Sequence, residues 1–438
     1  MCPVKVLFDA TVLAEGLHKT SNRSGIFWAS YEIFRALEAR GDVELGLYAT
    51  PSMVDGVNQF MDQEFPGKGY RVLNRTQSNF HGPIREWIES RKEEPRNRVG
   101  WRKKFLKVIG MLAKIARILW DKYVGCHRVA EIAERFDVFF SPVYLAPRAV
   151  RKYAKVPRFT LLYDTIPVLF PQFSPFTLLG FSWNFDLIKG LREEDYGFAI
   201  SDCTKRDFLR FSPRLKPDNV SVLSLAASEK FHPVDDHAEL RRVREKYHIP
   251  DGCRYILSLC TIEPRKNLGL ALEAFGRLLE ETRSKDLVFV LGGGQWGRFE
   301  GKWAATLEKL APWRDRIIHA GYIDDADLAA LYAGAEQFVY PSLYEGFGLP
   351  PLEAMQCGTP VVTSNVSSLP EVVGDAAIMI DPTDASAIAT AMRNLHEKPE
   401  LRMNLRRRGL ARAAEFTWRR TADQICETIR TVVGLNEI

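Results

Sequence analysis

Short apolar runs, each ending in a loop and followed by a helical stretch, recur along most of this chain, and that alternation constrains its fold more than any other feature. Val4–Phe8, Val43–Tyr48, Val138–Ser141, Arg158–Asp164, Gly197–Ser201 and Val220–Leu225 form a first series. Tyr255–Cys260, Leu287–Leu291, Arg316–Ala320, Gln337–Tyr340 and Pro360–Ser364 form a second. Continuous apolar runs of this length suit strands covered on both faces, and the stretches between them are long enough to cross from one parallel strand to the next. An α/β protein with two parallel-sheet domains is expected, and 438 residues are enough for two separate cores. Glu229-Lys230-Phe231-His232-Pro233-Val234 reads as the linker between them. The expected division is 1–230, then 231–415, with 416–438 as a final amphipathic helix from Trp418.

Composition removes several classes of partner. A net charge of +5 is too small to indicate nucleic acid. The seven cysteines are scattered, with no C-x-x-C pair and no His/Cys cluster, so neither a disulfide frame nor a zinc site is expected. No apolar run reaches 18 residues, and Met1-Cys2-Pro3 runs straight into the first strand. The expected location is cytoplasmic. One segment modifies that expectation. The first series is interrupted by an insertion of about 84–128, within which Trp101, Phe105, Val108, Leu112, Ile115 and Leu119 recur at helical spacing. Between 98 and 122 lie eight Lys or Arg, Lys103, Lys104 and Lys107 among them, against one Asp. A basic amphipathic helix with Trp at both ends suits an anionic membrane surface, while the commoner fate of such a pattern is burial against a core.

Tyr340–Pro360 concentrates the chemistry. Strand Gln337–Tyr340 stops at a proline; Gly346-Phe347-Gly348 follows, and Pro350-Pro351 marks a helix start that Gly358 ends. A helix start beside glycines offers backbone N–H groups to an anion. Glu345 and Glu353 flank it, and carboxylates there suit hydroxyls attached to the anion, as in a sugar nucleotide. The loop Glu263-Pro264-Arg265-Lys266-Asn267, at the carboxyl end of the second series' first strand, supplies two cations suited to a diphosphate. Asp164 ends a strand where α/β proteins place ligand contacts, or it caps the next turn. Gly25 opens the first helix, where a backbone can approach a ligand. Gly292-Gly293-Gly294-Gln295-Trp296-Gly297 matches G-x-G-x-x-G, but it follows the second strand of its series and lacks the acid that a nicotinamide site requires. Asp325-x-Asp327 reads as helix capping rather than a metal pair.

Glu345-x7-Glu353 together with Glu263–Asn267 resembles the family 4 glycosyltransferases. That resemblance implies a GT-B architecture, two Rossmann-like domains with a donor site in the cleft, the last helix crossing back onto the first domain. It implies that Arg265 and Lys266 hold the diphosphate, and that Glu345 faces the transferred sugar with Asp164 as a further catalytic group. Glu353 would bind the ribose hydroxyls, Gly346, Phe347 and Gly348 would supply backbone donors, and Tyr322 and Ile323 would meet the base. Gly25 would approach the phosphates from the other domain. Where many members carry His-Asp this chain has Tyr163-Asp164, which puts Tyr163 in the place of a donor-binding histidine. The implied chemistry is retaining, metal-independent hexosyl transfer without a cofactor. A mannosyl donor, GDP-mannose, is the first choice and a UDP-hexose the second, with a polyprenyl-linked glycan as acceptor at the inner membrane face, as in surface polysaccharide assembly. The competing classes are a non-catalytic scaffold subunit and a dehydrogenase.

Overall fold

The structure is a computed structural model that describes residues 3–17, 25–74, 126–173, 183–261, 263–294, 308 and 310–435. The basic segment with Trp101, Lys103, Lys104, Phe105 and Lys107 lies outside them.

Each series of apolar runs forms a six-stranded, wholly parallel sheet, the second with one strand, Ile378–Ile380, beyond its five runs. The first contains β1 (Val4–Asp9), β2 (Val43–Tyr48), β3 (Val138–Ser141), β4 (Arg158–Leu162), β5 (Asp195–Ala199) and β6 (Val220–Val222), in the order β2-β1-β3-β4-β5-β6. The second contains β7 (Arg254–Leu259), β8 (Leu287–Gly292), β9 (Ile317–Gly321), β10 (Gln337–Tyr340), β11 (Val361–Ser364) and β12 (Ile378–Ile380), in the order β12-β11-β10-β7-β8-β9. β3, β4, β8, β10 and β11 are buried at every position, which is why they read as continuous rather than alternating apolar runs. Strand order reverses between β1 and β3 in the first sheet and between β7 and β10 in the second. Such reversals open a crevice at the carboxyl edge of a sheet.

The helices used below are α1 (Gly25–Glu38), α2 (Asp202–Phe211), α3 (Leu268–Thr282), α4 (Leu349–Gln356), α5 (Leu369–Val373) and α6 (Trp418–Val433). α6 follows the second domain but packs on α1 of the first. Arg430 pairs with Asp42 at 2.6 Å, and the Thr421 hydroxyl donates to the Ser224 carbonyl at 2.6 Å. Among the described residues no helix is long and apolar enough to cross a membrane.

Candidate active site

The β7–α3 loop is a single 3-10 turn, Pro264–Lys266, opened by proline and closed by Asn267 in the left-handed region (φ 57°). Asparagine tolerates that conformation better than most residues. Its side-chain amide donates to the carbonyls of Pro341 (3.2 Å) and Pro382 (2.6 Å), tying the turn to the loop after β10. The Arg265 carbonyl accepts from Leu343 N at 2.9 Å, so the two loops of the β7/β10 reversal form one unit.

Both cations converge on Glu345. Its Oε1 lies 2.9 Å from Arg265 and 2.7 Å from Lys266, and it also accepts from the hydroxyls of Tyr340 (2.9 Å) and Ser342 (2.6 Å). Arg265 also donates to the Tyr344 carbonyl and pairs with Glu263 at 3.3 Å, while its Nε is buried without a partner. Burial alone would raise the Glu345 carboxyl, but Lys266 and Arg265 override it and bring the pKa down to about 2. The resemblance sets Glu345 against the transferred sugar; in this structure its Oε1 is already committed to the buried Arg265 and the partly buried Lys266, which would otherwise lack this shared carboxylate.

The next three residues explain the glycines. Gly346, Phe347 and Gly348 are buried, yet their N–H groups have no partner among the described residues. Buried amides are nearly always bonded, so three in succession before α4 mark a place for a ligand. A Cβ on Gly346 would overlap the Tyr163 carbonyl of the first domain and meet Asp164 Cβ at 2.9 Å, so only glycine fits where the domains touch. Gly348 takes φ 126° as the residue before α4.

Asp164 enters from the opposite side. Burial raises its pKa, the nearby Arg265 and Lys266 lower it and Glu345 raises it, so these groups share one electrostatic environment across the cleft. Its Oδ1 also accepts from Ile166 N at 3.0 Å, capping the following turn. Glu353, farther along α4, accepts from the Tyr332 hydroxyl at 3.0 Å, and burial pushes its pKa up to about 7. Lys230 of the linker and Asp325 act on it electrostatically. Tyr322, at the carboxyl end of β9, is 63% exposed, whereas Ile323 is buried beside Gly292.

Two expectations change. Tyr163 is buried in the first domain's core, with its hydroxyl 3.3 Å from Ser30 Oγ and 3.4 Å from the Ile26 carbonyl. The phenol is turned onto α1, and only the Tyr163 carbonyl faces the β10 loop. Asp327 precedes its helix without capping it; it is claimed instead by Arg242 (2.8 Å), Lys246 (2.5 Å) and the Tyr247 hydroxyl (2.8 Å), because two cations outbid a backbone amide. Among the described residues no cluster is suited to a metal ion. Gly25 is the exposed first residue of α1, and a Cβ built on it would meet no described residue within 4 Å. Sequence reasoning left Tyr340, Ser342, Ser201 and Thr204 unassigned. The first two stand inside Tyr340–Pro360, five and three residues before Glu345; Ser201 ends one of the apolar runs.

Residues 241–412 match the model for glycosyl transferases group 1. That segment, most of the second domain, is similar to a group 1 glycosyl transferase domain. Arg265, Lys266, Glu345 and Glu353 all fall within it. The chain is 39% identical over 227 residues to the O-antigen chain mannosyltransferase B of Escherichia coli, covering 52% of this chain and 58% of that protein. It is 36% identical over 226 residues to the serotype-specific mannosyltransferase WbdA of Escherichia coli, covering 51% of this chain and 27% of that protein. The match thus spans less than two thirds of either relative. The sucrose-phosphate synthase of Thermosynechococcus elongatus superposes with a TM-score of 0.64 at 18% identity, over 99% of this chain and 100% of that one. The chain therefore has the GT-B fold.

Proposed function

We propose that this chain is a nucleotide-sugar-dependent glycosyltransferase that moves a mannosyl residue, from GDP-mannose in preference to a UDP-hexose, onto a glycan acceptor in cell-surface polysaccharide synthesis. The observation that carries the reading is Arg265, buried, and Lys266, partly buried, at the β7/β10 reversal, both paired with Glu345 and followed in the same loop by the amides of 346–348, which have no partner among the described residues. Such a site offers a diphosphate positive charge and hydrogen bonds already in place, which need no reorganisation as charge develops on the leaving group. The mannosyl choice is supported by the two Escherichia coli relatives, both mannosyltransferases.

In this reading the C1–O bond to the diphosphate breaks while Arg265, Lys266 and the amides of 346–348 hold the departing oxygens. The acceptor oxygen bonds to C1 on the same face, its proton passes to the leaving phosphate, and nucleoside diphosphate departs. Retention follows without an enzymic nucleophile, and no metal ion is required. With Glu345 Oε1 committed to the cations, Oε2 is the oxygen a sugar hydroxyl would reach. Glu353 takes the ribose diol, and Tyr322 stacks on the base. The acceptor is expected to be polyprenyl-linked, with the segment that holds Lys103, Lys104 and Lys107 resting on the inner membrane face.

A panel of GDP-mannose, GDP-fucose, UDP-glucose and UDP-galactose, followed by release of nucleoside diphosphate with and without chelator, tests the reading. Turnover of GDP-mannose that survives chelation is expected. Silence on all four donors would favour the scaffold reading.

A further inference from the structure

Glu371 has no role in the chemistry above, yet its carboxylate leaves its own domain. Oε2 accepts from Asp202 N at 2.7 Å and Oε1 from Cys203 N at 2.8 Å, so both oxygens sit on the first two amides of α2 in the opposite domain. A carboxylate suits that end of a helix, where the amides have no helical partner and the dipole is positive. The residue itself is fixed from behind. Arg412 donates to the carbonyls of Glu371 (2.6 Å) and Val372 (3.0 Å), and Ser368, at the start of α5, holds the carbonyls of Glu345 (2.9 Å) and Phe347 (2.6 Å).

The carbonyl between those two is held from across the cleft. Ser201 Oγ lies 2.7 Å from Gly346 O and Thr204 Oγ1 lies 3.1 Å from it, both at the start of α2. Thr204 Oγ1 is also 3.0 Å from the Tyr163 carbonyl, adjacent to Asp164. One turn along α2, Asp207 accepts from the Tyr344 hydroxyl. The three carbonyls of 345–347 are thus gripped alternately by the α5 segment, the α2 segment and the α5 segment again, while Glu371 joins the two grips. From this arrangement we infer that Glu371 is a positioning residue, a cross-domain clasp on α2 that sets the Glu345–Gly348 loop against Asp164. The inference rests on the proposed function for its meaning in catalysis, but the clasp itself is a statement about domain arrangement.

The test compares the full-length chain with Glu371→Gln, which keeps the shape but gives up one acceptor and the charge. Small-angle scattering reads domain separation, titration with GDP reads the nucleotide site, and turnover of GDP-mannose reads kcat and KM. Scattering is expected to show a larger radius of gyration for the variant. GDP affinity should stay within about twofold, since Arg265, Lys266 and Glu353 all belong to the second domain. The kcat should fall by roughly 10- to 100-fold, the size of effect that misplacement by about an ångström produces. Asp207→Asn, which loosens the far turn of α2 and leaves its first amides alone, should move kcat and the radius the same way by less. Unchanged radius and kcat in Glu371→Gln would overturn the inference, as would GDP affinity and melting temperature falling together with kcat. If the wild-type chain turns over no sugar nucleotide, the functional reading fails while the scattering comparison still decides the clasp.

Discussion

The two sheets reverse strand order in the same way but finish their reversals differently. Between β1 and β3, Asp9 is fully used at home: Oδ1 accepts from the amide and hydroxyl of Thr11, and Oδ2 accepts from Ser141 Oγ at 3.0 Å. Nearby, the Tyr163 hydroxyl is turned onto Ser30 and Ile26. Between β7 and β10 stand a buried Arg265 and a partly buried Lys266 on one carboxylate, with Arg265 Nε and the amides of 346–348 unpartnered among the described residues. In one crevice the carboxylate is satisfied by its own domain; in the other two cations and open amides collect, which is the chemistry the proposed diphosphate site requires. A shared topology says where a crevice lies, and the degree of polar satisfaction says which crevice binds.

That contrast breaks first at Glu345. Glu345→Ala leaves the buried Arg265 and the partly buried Lys266 without their shared carboxylate and should cost about 3–5 kcal/mol, read from denaturant unfolding. Asp9→Asn keeps most of its neutral hydrogen bonds and should cost about 1–2 kcal/mol. The Glu345 carboxyl is lowered to about 2 in the folded chain, so its stabilisation is complete above the ordinary carboxylate range near 4.5 and disappears as pH falls through about 2. The gap between wild type and Glu345→Ala should therefore close in acid.

Glu353 carries the opposite sign. Its folded pKa of about 7 lies above the unfolded value, so the folded state holds its proton longer, and ionisation withdraws stability as pH rises from about 4.5 to 7. Glu353→Gln should be more stable than wild type by roughly 2–3 kcal/mol at pH 8 and no different at pH 4. In exchange it should bind GDP about tenfold more weakly, because a ribose diol loses a charged acceptor. The smallest effect belongs to the satisfied crevice. Tyr163→Phe removes only two long contacts and should change stability by less than about 1 kcal/mol and kcat by less than about threefold. A large loss of kcat would return the phenol to the site.

Much of this was legible in the sequence because the signals were local. Continuous apolar runs gave the strands, and the proline and glycine positions gave the α4 start. What escaped depends on neighbours distant in sequence. That Tyr163 faces Ser30 rather than the cleft is set by how α1 lies on β4. Asp327 sits where a cap would sit and is diverted by Arg242 and Lys246, some 85 and 81 positions away. Glu371 is a first-turn acid of α5 with no local signal of its role, and its partners lie 169 and 168 residues earlier.

The charged crevice is the central claim, and titration of GDP at pH 8, where Glu353 is ionised, tests it most directly. Wild type and Asp9→Asn should bind alike, while Lys266→Ala, deprived of a charge-assisted contact to the diphosphate, should bind roughly 10- to 100-fold more weakly. Equal GDP affinity in Lys266→Ala and wild type, or a loss confined to Asp9→Asn, would contradict it.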